Sequence, residues 1–155
     1  MIGAVDLELT TAASPEDAKT ISQGIVDFNR RAQPTLEAVE DEVRFFVFAR
    51  DAAGAVTGGI RAACYWNTLH IELVWLAESC RGSGAGSRML HMAEDFAREH
   101  GCELALVETT SWQAKGFYEK AGFAPIATVH GRPRGQSTHT LLKRLAPPTD
   151  AAGVA

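Results

Sequence analysis

The spacing of apolar residues changes period repeatedly along this chain, and each change marks an element. Val5, Leu7 and Leu9 alternate, which predicts a first strand over residues 4–10. Ser14, Pro15, Glu16 and Asp17 then form a helix start: a capping hydroxyl, a proline at the first helical position and acids in the first turn. Ala18, Ile21, Ile25 and Phe28 follow at helical spacing, and Pro34 stops the helix. The acidic residues 35–42 are read as a short second helix. Two strands, 43–51 and 55–66, flank a turn, and Gly58-Gly59 inside the second marks a bulge or a close approach by another segment. Residues 69–76 make a further strand, reached through a tight turn at Asn67 and Thr68.

A glycine-rich turn then leads into a helix over 87–100, with Met89, Ala93, Phe96 and Ala97 toward the core and Gly101 at its end. Residues 103–109 are almost wholly apolar and too few for a helix, the mark of a buried central strand. A short helix over 113–121 closes at Gly122, and strands over 124–129 and 137–145 complete the set. The order β-α-(α)-β-β-β-α-β-α-β-β predicts an α/β fold: a mixed, mostly antiparallel sheet of about seven strands with about four helices on its faces. Residues 1–145 are read as one domain, and 146–155, with Pro147, Pro148 and Gly153, as a disordered tail.

Composition narrows the partners. With 155 residues, 46% hydrophobic and 22% charged, the chain suits one soluble core of ordinary size. A net charge of −4 speaks against a general grip on nucleic acid. No charged-then-apolar leader and no apolar run long enough for a bilayer is seen, so no membrane partner is expected. Cys64, Cys80 and Cys102 are odd in number and lack metal-ligand spacing; they read as reduced thiols of a cytoplasmic protein, with no metal. Cys80, beside the glycine turn, is either a reactive thiol or a small filler residue.

The chemistry concentrates in Leu76, Ala77, Glu78, Ser79, Cys80, Arg81, Gly82, Ser83, Gly84, Ala85, Gly86 and Ser87. An Arg-x-x-Gly-x-Gly turn opening a helix leaves backbone N–H groups unpaired where the helix dipole is positive, a setting for phosphate. Glycines keep side chains out of the way of a bulky diphosphate. A P-loop would require Gly-Lys-Ser/Thr, but Gly86 is followed by Ser87 and Arg88. A dinucleotide site would sit in an early β-α-β unit, whereas this turn follows a meander in mid-chain. A coenzyme A diphosphate site is the third reading.

A second segment, Ala114-Lys115-Gly116-Phe117-Tyr118-Glu119-Lys120-Ala121-Gly122-Phe123, lies beyond the next strand. Together the two segments resemble the GNAT superfamily of N-acetyltransferases. Arg81, Gly84 and Gly86 match its Arg/Gln-x-x-Gly-x-Gly/Ala motif. Ala114, Phe117, Tyr118, Glu119, Lys120, Gly122 and Phe123 match its second motif. The family's asparagine three residues before the alanine is Ser111 here.

That resemblance implies acetyl-CoA as donor, held where the fourth and fifth strands splay apart. The pantetheine arm would pair with the main chain of Leu76, Ala77 and Glu78, and Arg81 to Ser87 would hold the diphosphate. Ser111, Ala114 and Phe117 would border the donor on the other side. Tyr118 would be the acid that protonates the departing thiolate. Two residues contend for the base that deprotonates the amine. His70 and Glu72 stand two apart on one strand and so share a face; that face would also carry Val74 and Leu76, an apolar setting that raises a carboxylate's pKa. Phe28, Asn29 and Trp66 are the candidates for contact with the acceptor, with Asn29 equally readable as a helix cap. The expected acceptor is a small molecule bearing a primary amine, with a protein lysine or N-terminus as the alternative, and a non-catalytic acyl-CoA sensor as the rival of another class. The resemblance also implies a homodimer.

Overall fold

A strand needs a neighbour, and this decides where the sheet begins. The computed structural model describes residue 3 and residues 5–145, and the chain divides into two compact units, residues 1–39 and 40–155. In the first unit residues 5–10 are irregular, and Val5, Leu7 and Leu9 are exposed. The predicted first strand is therefore not formed over residues 5–10, with Ala4 outside the described residues: alternation is present, but the described residues of this unit offer no second strand to pair with. The predicted tail over 146–155 also lies outside the described residues.

Helix α1, Pro15–Ala32, starts as its sequence dictates. The Asp17 N–H donates to Ser14 Oγ at 3.0 Å, and Ser14 Oγ donates back to Asp17 Oδ2 at 2.7 Å. Its end is closed by the Gln33 N–H donating to the Asn29 carbonyl at 2.7 Å. The predicted second helix over 35–42 reduces to one 3-10 turn, Val39–Asp41.

The second unit holds β1 (Val43–Arg50), β2 (Val56–Tyr65), β3 (Thr68–Leu76), α2 (Ala85–Glu99), β4 (Leu104–Thr110), α3 (Lys115–Lys120), β5 (Ala124–His130) and β6 (Ser137–Arg144). The six strands form one sheet in the order β1-β2-β3-β4-β6-β5, antiparallel except at the β3–β4 contact, which is parallel. Among the described residues, six strands and three α-helices thus stand where about seven and about four were expected. Val47, Ile60, Leu69, Ile71 and Val107 pack on one face of the sheet against Met89, Leu90, Ala93 and Ala97 of α2. Gly58 and Gly59 are close approaches: an added Cβ would lie 2.9 Å from the Trp75 carbonyl oxygen at one and 2.7 Å from that of Val47 at the other. No helix among the described residues is long and apolar enough to cross a membrane.

Glu94 of α2 is 1% exposed, so its charge requires partners there. Lys143 of β6 donates to both its oxygens at 2.8 and 2.9 Å, and Arg98 adds a contact at 3.4 Å. This pairing ties α2 to the far side of the sheet.

Two irregularities in β3 shape everything that follows. It pairs with β4 only over Thr68–Ile71 against Leu104–Val107; from Glu72 and Glu108 onward the two strands part. At the same point its register with β2 slips: Ile71 faces Ala62 and Leu73 faces Arg61, leaving Glu72 as a bulge without a partner. A wedge opens at the sheet's centre, its vertex at Ile71 and Val107.

Candidate active site

The wall of the wedge is the second half of β3. The Ala77 N–H donates to the Thr57 carbonyl of the β2 side at 2.8 Å, so the alternating main-chain groups of Leu76 point the other way, into the gap. The Leu76 carbonyl accepts from Arg81 Nε at 3.2 Å. Glu78, expected to prolong the strand edge, instead opens a 3-10 turn, Glu78–Cys80, and its carbonyl accepts the Arg81 N–H at 3.1 Å. Arg81 therefore folds the turn back onto the strand end.

Gly82 and Gly84 follow with φ of +74° and +78°, and an added Cβ at either would meet no atom within 4 Å. Both are glycine for backbone conformation rather than space in the protein, and both leave the outer side of the turn open. Gly84 begins α2 with no side-chain cap, and no acidic residue lies in the helix's first turn. Ser83 Oγ donates to the Cys80 carbonyl at 2.6 Å and accepts the Ala85 N–H at 3.3 Å. The amides of Gly86 and Ser87 have no partner among the described residues, as the geometry of a helix start requires. Open glycines, free amides and an uncontested dipole fit a diphosphate.

The second motif is brought against the first. An added Cβ on Gly86 would sit 3.3 Å from the Phe117 ring, so α3 packs directly on the start of α2. Ala114 precedes α3, and its carbonyl accepts the Tyr118 N–H at 3.2 Å. Tyr118 is buried, edge-on to Phe117 and Phe123 at 5.2 and 5.7 Å between ring centres. Its hydroxyl makes no hydrogen bond among the described residues, and burial pushes its pKa up to about 12. Ser111, where the family has asparagine, is committed elsewhere: its Oγ donates to Gln136 Oε1 at 2.6 Å and accepts the Ser137 N–H at 3.3 Å.

The bulge separates the two candidate bases from their expected surroundings. Slipping one residue moves Val74 and Leu76 to the α2 side, where they pack on the core, and leaves Leu73 and Trp75 half-exposed on the other. The apolar setting expected for Glu72 is therefore not found. One oxygen accepts from Arg44 Nη1 at 3.0 Å and the other from Arg61 Nε at 2.9 Å, while Arg44 also pairs with Glu42 at 2.8 Å. His70, paired in register with Ala63 and Leu106 at the vertex, is different. Its Nε2 is buried and has no hydrogen-bond partner. Burial lowers its pKa below the ordinary 6.5, against the pull of the Tyr65 carbonyl and of Glu42 and Glu72.

The acceptor candidates are divided between the two units. Phe28 and Asn29 lie on α1 in the first unit, Phe28 exposed and Asn29 engaged through its carbonyl at the helix end. Trp66 sits in the β2–β3 turn, at the end of β3 remote from the parted strands and roughly 25 Å of strand from Leu76. Sequence reasoning also passed over several residues. Gln113 Oε1 accepts the Thr110 N–H at 3.1 Å and so pins the end of β4 to the approach of α3. Thr110 Oγ1 is buried without a partner, and Arg44 and Arg61 hold Glu72. Only Gln113, just ahead of a helix start, carried a local signal.

Comparison with known proteins identifies the family. The family model described as Acetyltransferase (GNAT) family matches residues 10–123. A blasticidin-S acetyltransferase of Streptomyces morookaense is 38% identical over 116 residues, covering 74% of this chain and 85% of the relative. An acetyltransferase of Agrobacterium fabrum is 30% identical over 136 residues, covering 88% and 96%. The crystal structure of an acetyltransferase from Bacillus cereus superposes with a TM-score of 0.75 at 28% identity, covering 88% of this chain and 97% of that one. The chain belongs to the acetyltransferase (GNAT) family and is an acetyltransferase that takes its acetyl group from acetyl-CoA.

Proposed function

We propose that the acceptor is the primary amine of a small molecule, acetylated by direct attack while donor and acceptor are bound together. The observation that carries the reading is the pair of side chains with unengaged reactive atoms in the second unit, His70 Nε2 at the vertex and the Tyr118 hydroxyl on α3. The Streptomyces relative is named for blasticidin S, which favours a small-molecule acceptor.

Acetyl-CoA supplies an activated thioester. The amides of Gly86 and Ser87 and the open turn at Gly82 and Gly84 hold its diphosphate, and the inward main chain of Leu76 aligns the arm leading to it. A lysine-like amine is neutral in only about one molecule in a few thousand at pH 7, so proton removal is the first demand. His70 is uncharged at neutral pH because burial lowers its pKa, and its unpartnered Nε2 accepts the amine proton. The second demand is a proton for the leaving sulfur. Tyr118 remains protonated throughout the neutral range, with nothing else claiming its hydroxyl. Glu72, held by two guanidinia, fixes the bulge rather than moving a proton.

The test is release of free coenzyme A thiol from acetyl-CoA against a panel of small amines and a lysine-bearing peptide. Turnover with a small amine, and a Tyr118→Phe variant with kcat lowered at least about tenfold at unchanged acetyl-CoA affinity, is the expected outcome. Turnover with the peptide alone would move the acceptor to protein, and donor binding without turnover for any amine would make the chain a sensor. An unchanged kcat would remove Tyr118 from the chemistry.

A further inference from the structure

The hairpin that delivers His70 to the vertex is held in an unusual conformation. Tyr65 and Thr68 close the β2–β3 turn, and the two residues between them, Trp66 and Asn67, have φ of +49° and +48°. Neither is glycine, so both pay a conformational cost that surrounding contacts must offset. Those contacts are present. Thr68 Oγ1 donates to the Trp66 carbonyl at 2.9 Å, and the Asn67 carbonyl accepts the N–H groups of Glu103 and Leu104 at 2.8 and 3.2 Å. The turn is thereby locked to the start of β4.

The consequence falls on the residue before the turn. Tyr65 lies diagonal to His70 across the hairpin, and the residue directly opposite His70 is Ala63, whose methyl leaves room above the imidazole. The Tyr65 ring fills that room, 3.9 Å from the imidazole between centres and within 8° of parallel. Trp66 stands edge-on behind it at 5.8 Å and 73°. The Tyr65 ring thus covers one face of His70, while Nε2 stays without a partner.

We propose that Tyr65 is a positioning residue for the reaction: its ring fixes the plane in which the Nε2 lone pair of His70 is presented to the amine. The inference rests on His70 as the base. A neutral imidazole with its proton on Nδ1 carries its lone pair on Nε2, which is the form that accepts a proton. The ring also shields the imidazole from water. Burial then outweighs the groups that favour a charged imidazole, namely the Tyr65 carbonyl, Glu42 ahead of β1 and Glu72 on β3. Arg44 of β1 and Arg61 of β2 temper the Glu72 charge, and Glu108 of β4 is paired with Arg132.

The experiment compares Tyr65→Phe, Tyr65→Leu and His70→Gln in the full chain. Two readouts are taken: the imidazole titration by NMR and the pH profile of kcat/KM. His70 is one of five histidines, and its resonance is assigned by its loss in His70→Gln. Tyr65→Phe keeps ring and carbonyl and should match the parent in both readouts. Tyr65→Leu should let His70 titrate nearer its ordinary 6.5 and carry the acid limb of kcat/KM upward with it. Its kcat should fall about tenfold, with the KM for acetyl-CoA unchanged. If Tyr65→Leu does not fold, the β-branched and ringless Tyr65→Val gives the same readouts. An unmoved His70 titration together with an unmoved acid limb in the ringless variant overturns the role of Tyr65. A His70→Gln enzyme with full kcat and an intact acid limb overturns the base assignment instead, a separate result from the NMR shift.

Discussion

Helix α1 begins with its dipole answered by its own side chains, whereas α2 begins with nothing of the kind. At α1, Ser14 caps Asp17, Pro15 occupies the first position, and Glu16 and Asp17 supply negative charge. At α2, Gly84 offers no cap, the first turn has no acid, and two left-handed glycines clear the approach. The same backbone physics governs both ends. One end is completed internally, while the other is left incomplete, as the proposed diphosphate site requires, at a cost of about 1 kcal/mol of capping.

Giving α2 the chemistry of α1 is the most disruptive way to break this contrast. Ser87→Asp places a carboxylate in the first turn, where it answers the dipole and repels a diphosphate. Acetyl-CoA affinity measured by calorimetry should fall about a hundredfold, roughly the 3 kcal/mol of one charge-assisted bond. The melting temperature of the free protein should hold or rise, because an acid at that position stabilises a helix start. A joint loss of binding and stability would contradict the contrast.

Gly84→Ala is milder. Its φ of +78° costs an L-residue about 1–2 kcal/mol, and the added methyl points into the open side of the turn. Donor affinity should weaken about tenfold, with a small fall in melting temperature. The smallest effect is expected at the other helix. Ser14→Ala should cost about 1 kcal/mol in denaturant unfolding with acetyl-CoA binding unaltered. A change in donor affinity there would show that the two helix starts are not independent.

Much of this was legible because it is local. The cap of α1 and the glycine turn that opens α2 both follow from residues near one another in sequence. The bulge at Glu72 was not legible. It depends on how β2 and β3 slide past each other, and one slipped residue exchanged Val74 and Leu76 for Leu73 and Trp75 as the neighbours of Glu72. Glu94 and Lys143 likewise meet only after the sheet has formed, and nothing near either one announces the other. The strand expected over 4–10 failed for the complementary reason: its pattern was correct but pairing is a property of two segments.

The contact between Gly86 and the Phe117 ring makes one mechanical part of two motifs. The turn proposed to hold the donor and the short helix that carries Tyr118 share a hard surface with no slack for a side chain between them. Whatever nudges the start of α2 also nudges Tyr118, so under the proposed roles the hold on the nucleotide and the aim of the proton donor are set together rather than tuned apart.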